Sequence, residues 1–87
     1  MVHVDCLVAN DTSGDLLVKF QSSQEFRPRE FIIRRNEGTR ITAKPGPCKI
    51  AIQELYEGRE GRLIEHVEKR VRGYVLVKDD EVKTGSL

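Results

Sequence analysis

The feature that most constrains this chain is a regular alternation of apolar and polar residues, in short runs separated by turn-forming residues. Residues 2–9 and 15–22 both alternate with a period of two, which is typical of strands with one buried face. Between them, residues 10–15 are rich in Asn, Asp, Ser and Gly and predict a tight turn. The first two strands are therefore predicted to form a hairpin.

The middle of the chain repeats this pattern. Residues 30–35 and 39–44 predict two short strands, and Gly38 is expected to take the positive φ that a three-residue hairpin loop needs. A Pro-Gly-Pro sequence at 45–47 separates this second hairpin from a fifth strand over 48–56.

Residues 62–72 fit two patterns. They alternate as a strand would, but their apolar residues also recur at helical spacing, with Glu65 four residues before Lys69. We prefer the strand, because a hairpin returning from the fifth strand suits the surrounding all-strand pattern. Residues 74–77 predict a final strand, and 79–87 are expected to form a solvated, partly frayed tail.

These elements predict one all-β domain over residues 1–87, a small antiparallel β-sandwich or barrel of six to seven strands. The alternative is an α+β fold with one C-terminal helix near 62–72. No apolar run reaches the roughly 18 residues that span a bilayer. Met1 leads straight into a strand pattern rather than a signal peptide, so a cytoplasmic location is expected, with secretion as the alternative.

Two cysteines, Cys6 and Cys48, are too few for a disulfide framework. Both fall on the apolar phase of their strands, which favours buried thiols that act as small hydrophobic residues. The alternative is a single disulfide between them in an oxidising compartment. His3 and His66 add no ligand spacing typical of a metal site, and no metal or cofactor is predicted.

The formal net charge of +1 conceals an uneven distribution. Residues 1–26 carry four acidic residues and one basic residue, whereas residues 27–49 carry seven basic residues and two acidic ones. The middle hairpin is therefore predicted to be a basic ribbon that attracts an anion or an acidic partner. The candidate binding residues are Phe26, Arg27, Arg29, Arg34, Arg35, Arg40 and Lys44.

Two competing interpretations stay open for this surface. The basic residues would equally suit a solvated strand face, or a charged sheet edge that discourages aggregation. Phe26 lies beside cations in a loop, where it serves either as an exposed anchor or as a ring folded back onto the core.

No pattern in the sequence indicates an enzyme. There is no glycine-rich phosphate loop, and the carboxylates Glu54, Glu57 and Glu60 form a turn cluster rather than an acid–base pair. Residues 10–12, Asn-Asp-Thr, match a glycosylation acceptor, which matters only if the chain is secreted.

The leading hypothesis is a non-enzymatic protein-binding or regulatory module. It would act through the basic hairpin or a sheet edge on a partner with an acidic surface, and it would self-associate by pairing edge strands. One alternative is a small nucleic-acid-binding β-barrel that uses the same arginines. The other is a secreted, disulfide-linked interaction domain.

Overall fold

The computed structural model describes residues 4–44, 46–57, 59–68 and 73–85. These residues form eight strands and no helix, so the predicted all-β class is confirmed with one strand more than the expected maximum. The strands are β1 (Val4–Asp11), β2 (Asp15–Ser22), β3 (Arg29–Ile33), β4 (Gly38–Ala43), β5 (Cys48–Tyr56), β6 (Arg59–Glu68), β7 (Gly73–Lys78) and β8 (Val82–Gly85).

The strands form two four-stranded sheets that pack face to face as a sandwich. Sheet A has the order β4-β1-β7-β8, and sheet B has the order β3-β2-β5-β6. Neighbouring strands are antiparallel except for β1 and β7, which lie parallel in the centre of sheet A.

The strand alternative for the ambiguous segment is confirmed over residues 62–68, which belong to β6. This strand pairs antiparallel with β5, as the predicted return hairpin requires. The remaining residues of that prediction, 69–72, lie outside the described residues.

The other two predicted hairpins are wrong. Strands β1 and β2 lie in different sheets, and so do β3 and β4, so each connection crosses the sandwich instead of turning back on itself. Alternation shows which face of a strand is buried. It does not show whether the next strand along the chain pairs with it in the same sheet or crosses to the opposite sheet. The positive φ in the second connection belongs to Asn36, at 65°, and not to Gly38.

The core lies between the inward faces of the two sheets. It contains Phe20, the largest fully buried side chain, together with Cys6, Val8, Leu16, Val18, Ile33, Ile41, Ala43, Cys48, Ile50, Ile52, Val75 and Val77. Both described thiols are thus buried as predicted, Cys6 in sheet A and Cys48 in sheet B, and no disulfide joins them.

The prediction of a frayed tail is wrong for residues 82–85, because they form β8 and pair with β7. Val82 packs against the core, and the ring of Tyr74 covers Gly85 so closely that a Cβ there would lie 2.6 Å from it. Residues 86–87 lie outside the described residues.

Candidate functional site

The strand directions gather the described connections at two ends of the sandwich. We define the basic end as residues 23–29, 44 and 46–49. Its described side chains include four basic residues, Arg27, Arg29, Lys44 and Lys49, and one carboxylate, Glu25.

The acidic end lies opposite and comprises residues 12–14, 34–37 and 79–81 with the strand residues beside them. Its described side chains include four basic residues, Arg34, Arg35, Arg62 and Lys78, and eight carboxylates, Asp11, Asp15, Glu37, Glu54, Glu57, Asp79, Asp80 and Glu81.

The fold divides the seven candidate residues among three places. Phe26, Arg27, Arg29 and Lys44 lie together at the basic end, Arg34 and Arg35 lie at the acidic end, and Arg40 lies on the edge strand β4. The prediction of one continuous basic hairpin is therefore wrong, because β3 and β4 belong to different sheets. Arg40 also lies 3.8 Å from a carboxylate oxygen of Asp5, which partly neutralises it.

Phe26 is the most exposed large apolar side chain among the described residues, with a relative exposure of 103%. The ring is thus exposed to solvent and is not folded back onto the core. Its loop is fixed at the base, because the Ser23 amide donates to the Pro47 carbonyl at 2.9 Å and the Glu25 amide donates to the Ser22 carbonyl at 3.0 Å. The ring therefore projects from an anchored loop.

Arg29 connects the two sheets beneath this loop. Its Nη2 donates to the Thr42 carbonyl in sheet A at 3.0 Å and to Glu25 Oε1 at 3.1 Å. Its guanidinium also stacks over the Phe20 ring, 5.1 Å from the centroid. These contacts hold Nη2 and one face of the guanidinium, while the buried Nε has no hydrogen-bond partner among the described residues. Arg29 therefore positions the loop, and Arg27, Lys44 and Lys49 supply the charge that faces solvent.

A cleft of about 260 Å³ opens beside the Phe26 loop. Ser22, Ser23 and Glu25 line it on one side, and Pro47 and Lys49 line it on the other. The basic end therefore brings together an exposed aromatic ring, three cations and a concave surface.

The acidic end contains an ion pair between a buried carboxylate, Glu54, and a partly exposed guanidinium, Arg62, which the sequence interpretation missed. Glu54 has the same inward phase on β5 as Ile50 and Ile52, and its side chain is only 1% exposed. Its carboxylate accepts hydrogen bonds from the Arg62 guanidinium, the Arg62 amide and the Tyr56 hydroxyl. That inward phase was the available signal, but Glu54 was grouped with the turn carboxylates.

This ion pair also bridges the sheets. The Arg62 guanidinium donates to the Lys78 carbonyl at the end of β7, and the Tyr56 hydroxyl lies 3.4 Å from Asp79. Burial raises the pKa of Glu54, but the hydrogen bonds from Arg62 and Tyr56 outweigh it and hold that pKa below its usual value. The same carboxylate raises the pKa of Tyr56. With its oxygens enclosed by these donors, Glu54 acts as a structural link.

Asn10 links the two crossing connections at the same end. Its Nδ2 donates to the Gly14 carbonyl at 2.8 Å and the Ile33 carbonyl at 2.9 Å, and its Oδ1 accepts from the amide and hydroxyl of Thr12. The side chain is buried, with 1% exposure. The glycosylation pattern at 10–12 is therefore part of the fold, and its amide is not accessible.

Within the part of the chain that the structure describes, no group of three or more His, Cys, Asp or Glu residues is arranged to hold a metal ion. The same residues contain no helix long and apolar enough to cross a membrane. No protein-family model matches the sequence, and no curated protein is significantly similar to it.

Proposed function

We propose that this protein is a non-enzymatic interaction module whose basic end binds an acidic segment of a partner protein. The observation that carries the proposal is Phe26, whose ring projects into solvent beside Arg27 and next to a cleft. Aromatic residues, Phe among them, and arginine are enriched at the cores of protein interfaces.

The anchored loop supports this role energetically. Hydrogen bonds from Ser23 and Glu25 and the contacts of Arg29 hold the base of the loop before any partner arrives. A preordered loop loses less conformational entropy on binding, so more of the contact energy appears as affinity.

The charge of the basic end specifies the partner. Among the described side chains, Arg27, Lys44 and Lys49 make no salt bridge, so their charges remain available to external carboxylates. Charges of this kind mainly set association rate and specificity. An acidic segment with an apolar residue would satisfy both the cations and the cleft.

Nucleic acid is the competing ligand for the same surface. Proteins that bind single strands stack successive bases on several exposed rings. Among the described residues, Phe26 is the one large aromatic side chain that is exposed at the basic end. We therefore favour the acidic peptide and treat nucleic acid as an outcome of the test.

The test measures fluorescence anisotropy of two labelled probes, a glutamate-rich peptide containing tyrosine and a single-stranded oligothymidylate. The variant Arg27→Glu/Lys49→Glu is expected to weaken peptide binding by about tenfold or more, because it reverses two interfacial charges. The matched control, Arg35→Glu/Arg40→Glu, reverses two charges elsewhere and is expected to change binding by less than about threefold. Phe26→Ala should weaken peptide binding without changing the net charge.

Equal losses for the two double variants would contradict the proposal, since binding would then follow net charge alone. Tighter binding of the oligothymidylate than of the peptide, with a steep decline as salt is added, would assign the basic end to nucleic acid instead. If the wild-type protein binds neither probe, the basic end is not the acidic-segment site that we propose.

A further inference from the structure

The outer face of sheet B exposes large apolar side chains. Ile32 is 55% exposed, Leu63 is 61% exposed and Leu55 is 41% exposed. Together with Phe26 at the basic end, these are the exposed large hydrophobic residues of the described chain. An apolar surface concentrated on one face indicates an interaction site rather than scattered exposure.

The strand register arranges this face in rows. Ile32 pairs with Leu17, Leu17 pairs with Gln53, and Gln53 pairs with Leu63, so these four residues form one row across all four strands. A shallow depression follows the same surface and is lined by Leu17, Lys19, Ala51, Gln53 and Leu63. We refer to Ile32, Leu17, Gln53 and Leu63 as the central row.

The rows on either side of the central row carry complementary groups. Toward the basic end, Glu30, Lys19 and Ala51 occupy neighbouring register positions. Toward the acidic end, Asp15 pairs with Leu55, and Arg34 follows β3 in the same alternation as Glu30 and Ile32. Lys19 and Glu30 form an exposed ion pair at 3.7 Å on one side of the central row, and Asp15 on β2 and Arg34 just after β3, which carry the opposite charges, lie on the other side. On β5 the two corresponding residues, Ala51 and Leu55, are both apolar.

From this arrangement we infer that the outer face of sheet B binds a second copy of this chain, related by a two-fold axis that runs across the strands along the central row. Such a rotation places the central row on its own copy. It also places Lys19 over Asp15 of the second copy, Glu30 over Arg34 of the second copy, and Ala51 over Leu55 of the second copy. Two aligned sheets about 10 Å apart bring side chains of this kind into contact.

The other in-plane axis does not produce this match. An axis parallel to the strands would set Lys19 over Ala51 of the second copy and Asp15 over Leu55 of the second copy. Both carboxylate and ammonium would then lose solvent against apolar side chains without gaining a partner. Charge complementarity therefore favours a second copy of this chain as the occupant, and the axis across the strands as its orientation.

Sheet A presents a different outer face. Leu7, Tyr74 and Leu76 are half-buried, whereas Ile32, Leu55 and Leu63 on sheet B are exposed. In-chain ion pairs occur on both outer faces, Lys78 with Asp11 and Arg40 with Asp5 on sheet A and Lys19 with Glu30 on sheet B, so the exposed apolar side chains distinguish the two. No large apolar side chain of the described residues is exposed there. The second copy is therefore expected on sheet B and not on sheet A.

The strength of the dimer follows from its size. The face spans four strands at about 4.8 Å spacing, so it is smaller than the roughly 800 Å² per partner of a standard interface. We expect a reversible dimer with a dissociation constant in the range of about 1 to 100 μM.

The experiment is sedimentation equilibrium of the full chain over a wide concentration range, with circular dichroism to confirm that each variant is folded. Leu63→Glu is expected to abolish the dimer, because each copy would place a carboxylate in the central row. Arg34→Glu is expected to weaken it by about tenfold or more, since the two-fold axis repeats the Glu30 repulsion at two places.

The decisive variant is the charge exchange Glu30→Arg/Arg34→Glu. It restores the opposite pairing across the proposed axis but also breaks the 3.7 Å ion pair of Glu30 with Lys19, so it should recover part of the affinity that Arg34→Glu loses. Glu30→Arg alone breaks the same ion pair without restoring the contact, and it should dimerise more weakly than the exchange. The matched control, Arg35→Glu, reverses a neighbouring exposed charge and should leave the dimer within about twofold of wild type.

A wild-type protein that stays monomeric at the highest concentration would overturn the proposal. A dimer that is insensitive to Leu63→Glu and Arg34→Glu would overturn it as well, because the contact would then lie on another surface. A dimer that Arg34→Glu weakens but the exchange fails to restore would contradict the two-fold arrangement. These outcomes do not depend on the peptide-binding result, because that surface lies at the basic end.

Discussion

At the acidic end, buried polar side chains tie neighbouring connections together, whereas at the basic end the described connections are held at their bases and present side chains to solvent. Glu54 and Asn10 are almost completely buried at the acidic end, and their polar atoms are hydrogen-bonded. Phe26 at the basic end is completely exposed.

The difference separates two tasks that a small domain must perform. A chain of 87 residues has a limited hydrophobic core, so buried hydrogen bonds that join its two sheets are a large part of its stability. Exposed side chains on an anchored loop contribute little to stability and are free to serve recognition. Substitutions at the acidic end should therefore lower stability, and substitutions at the basic end should alter binding.

The largest expected effect is that of Glu54→Ala. It removes the acceptor of the Arg62 amide and the Tyr56 hydroxyl and opens a void between the sheets, while the Arg62 guanidinium stays partly exposed to water. We therefore expect the free energy of unfolding to fall by about 3 kcal/mol. Urea denaturation at neutral pH measures this change. Glu57→Ala, which removes an exposed carboxylate nearby, is the control and should change it by less than about 0.5 kcal/mol. If Glu54→Ala lowered the free energy of unfolding by less than about 1 kcal/mol, the proposed stabilising role of the acidic end would be wrong.

Asn10→Ala should have the next largest effect, a loss of about 2 to 3 kcal/mol. The substitution leaves the carbonyls of Gly14 and Ile33 without their described side-chain donor. The control is Asn36→Gly, because glycine accepts the positive φ of Asn36 without strain, and it should change stability by less than about 0.5 kcal/mol. If Asn10→Ala matched its control in thermal and urea denaturation, the link between the two connections would be dispensable.

Acidification should weaken the acidic end selectively. Because the pKa of Glu54 is lower in the folded chain, its stabilisation is complete above the unfolded pKa of about 4.3 and is lost as pH falls through the lower folded pKa. The urea midpoint of wild type should therefore drop as the pH falls below about 4.3 and through the lower folded pKa. Glu54→Gln should reduce that drop, and an identical pH dependence in both proteins would refute the assignment.

The smallest expected effect on stability belongs to Phe26→Ala and Arg27→Ala, each within about 0.5 kcal/mol of wild type. Both side chains are exposed and neither packs into the core. A loss above about 1 kcal/mol in the same denaturation assay would show that the basic end is structural too, and the contrast between the ends would disappear.

The sequence predicts the strands of this fold better than their partners. Alternation identifies the inward faces of β1, β2, β4 and β5 and the all-β class, because burial of one face dictates that pattern directly. The pairing partners depend on contacts between distant segments, such as Asn10 with the Ile33 carbonyl, which no local pattern contains. Because local alternation does not contain these long-range contacts, it predicts two hairpins that the structure does not form.

The candidate site is predictable to a similar degree. The sequence places Phe26 beside Arg27, and the predicted third strand already separates this pair from Arg34 and Arg35 at its other end. The separation of β3 from β4, which removes Arg40 from the basic end, requires knowledge of the sheet order. Glu54 could have been distinguished from Glu57, since it continues the inward phase of Ile50 and Ile52. The partnership with Arg62 depends on the β5–β6 register and its irregularity near Gln53.

The parallel pairing of β1 with β7 also bears on how the chain folds during synthesis. Strand β1 lies in the interior of sheet A, yet one of its two neighbours, β7, is synthesised only after the five strands between them. Until then the inward face of β1 and one of its edges stay without their native contacts, a state that favours chaperone binding and aggregation. Closing so long a loop slows folding toward the millisecond-to-second range of other β-sandwiches, and a nascent chain interrupted before residue 73 would leave sheet A incomplete.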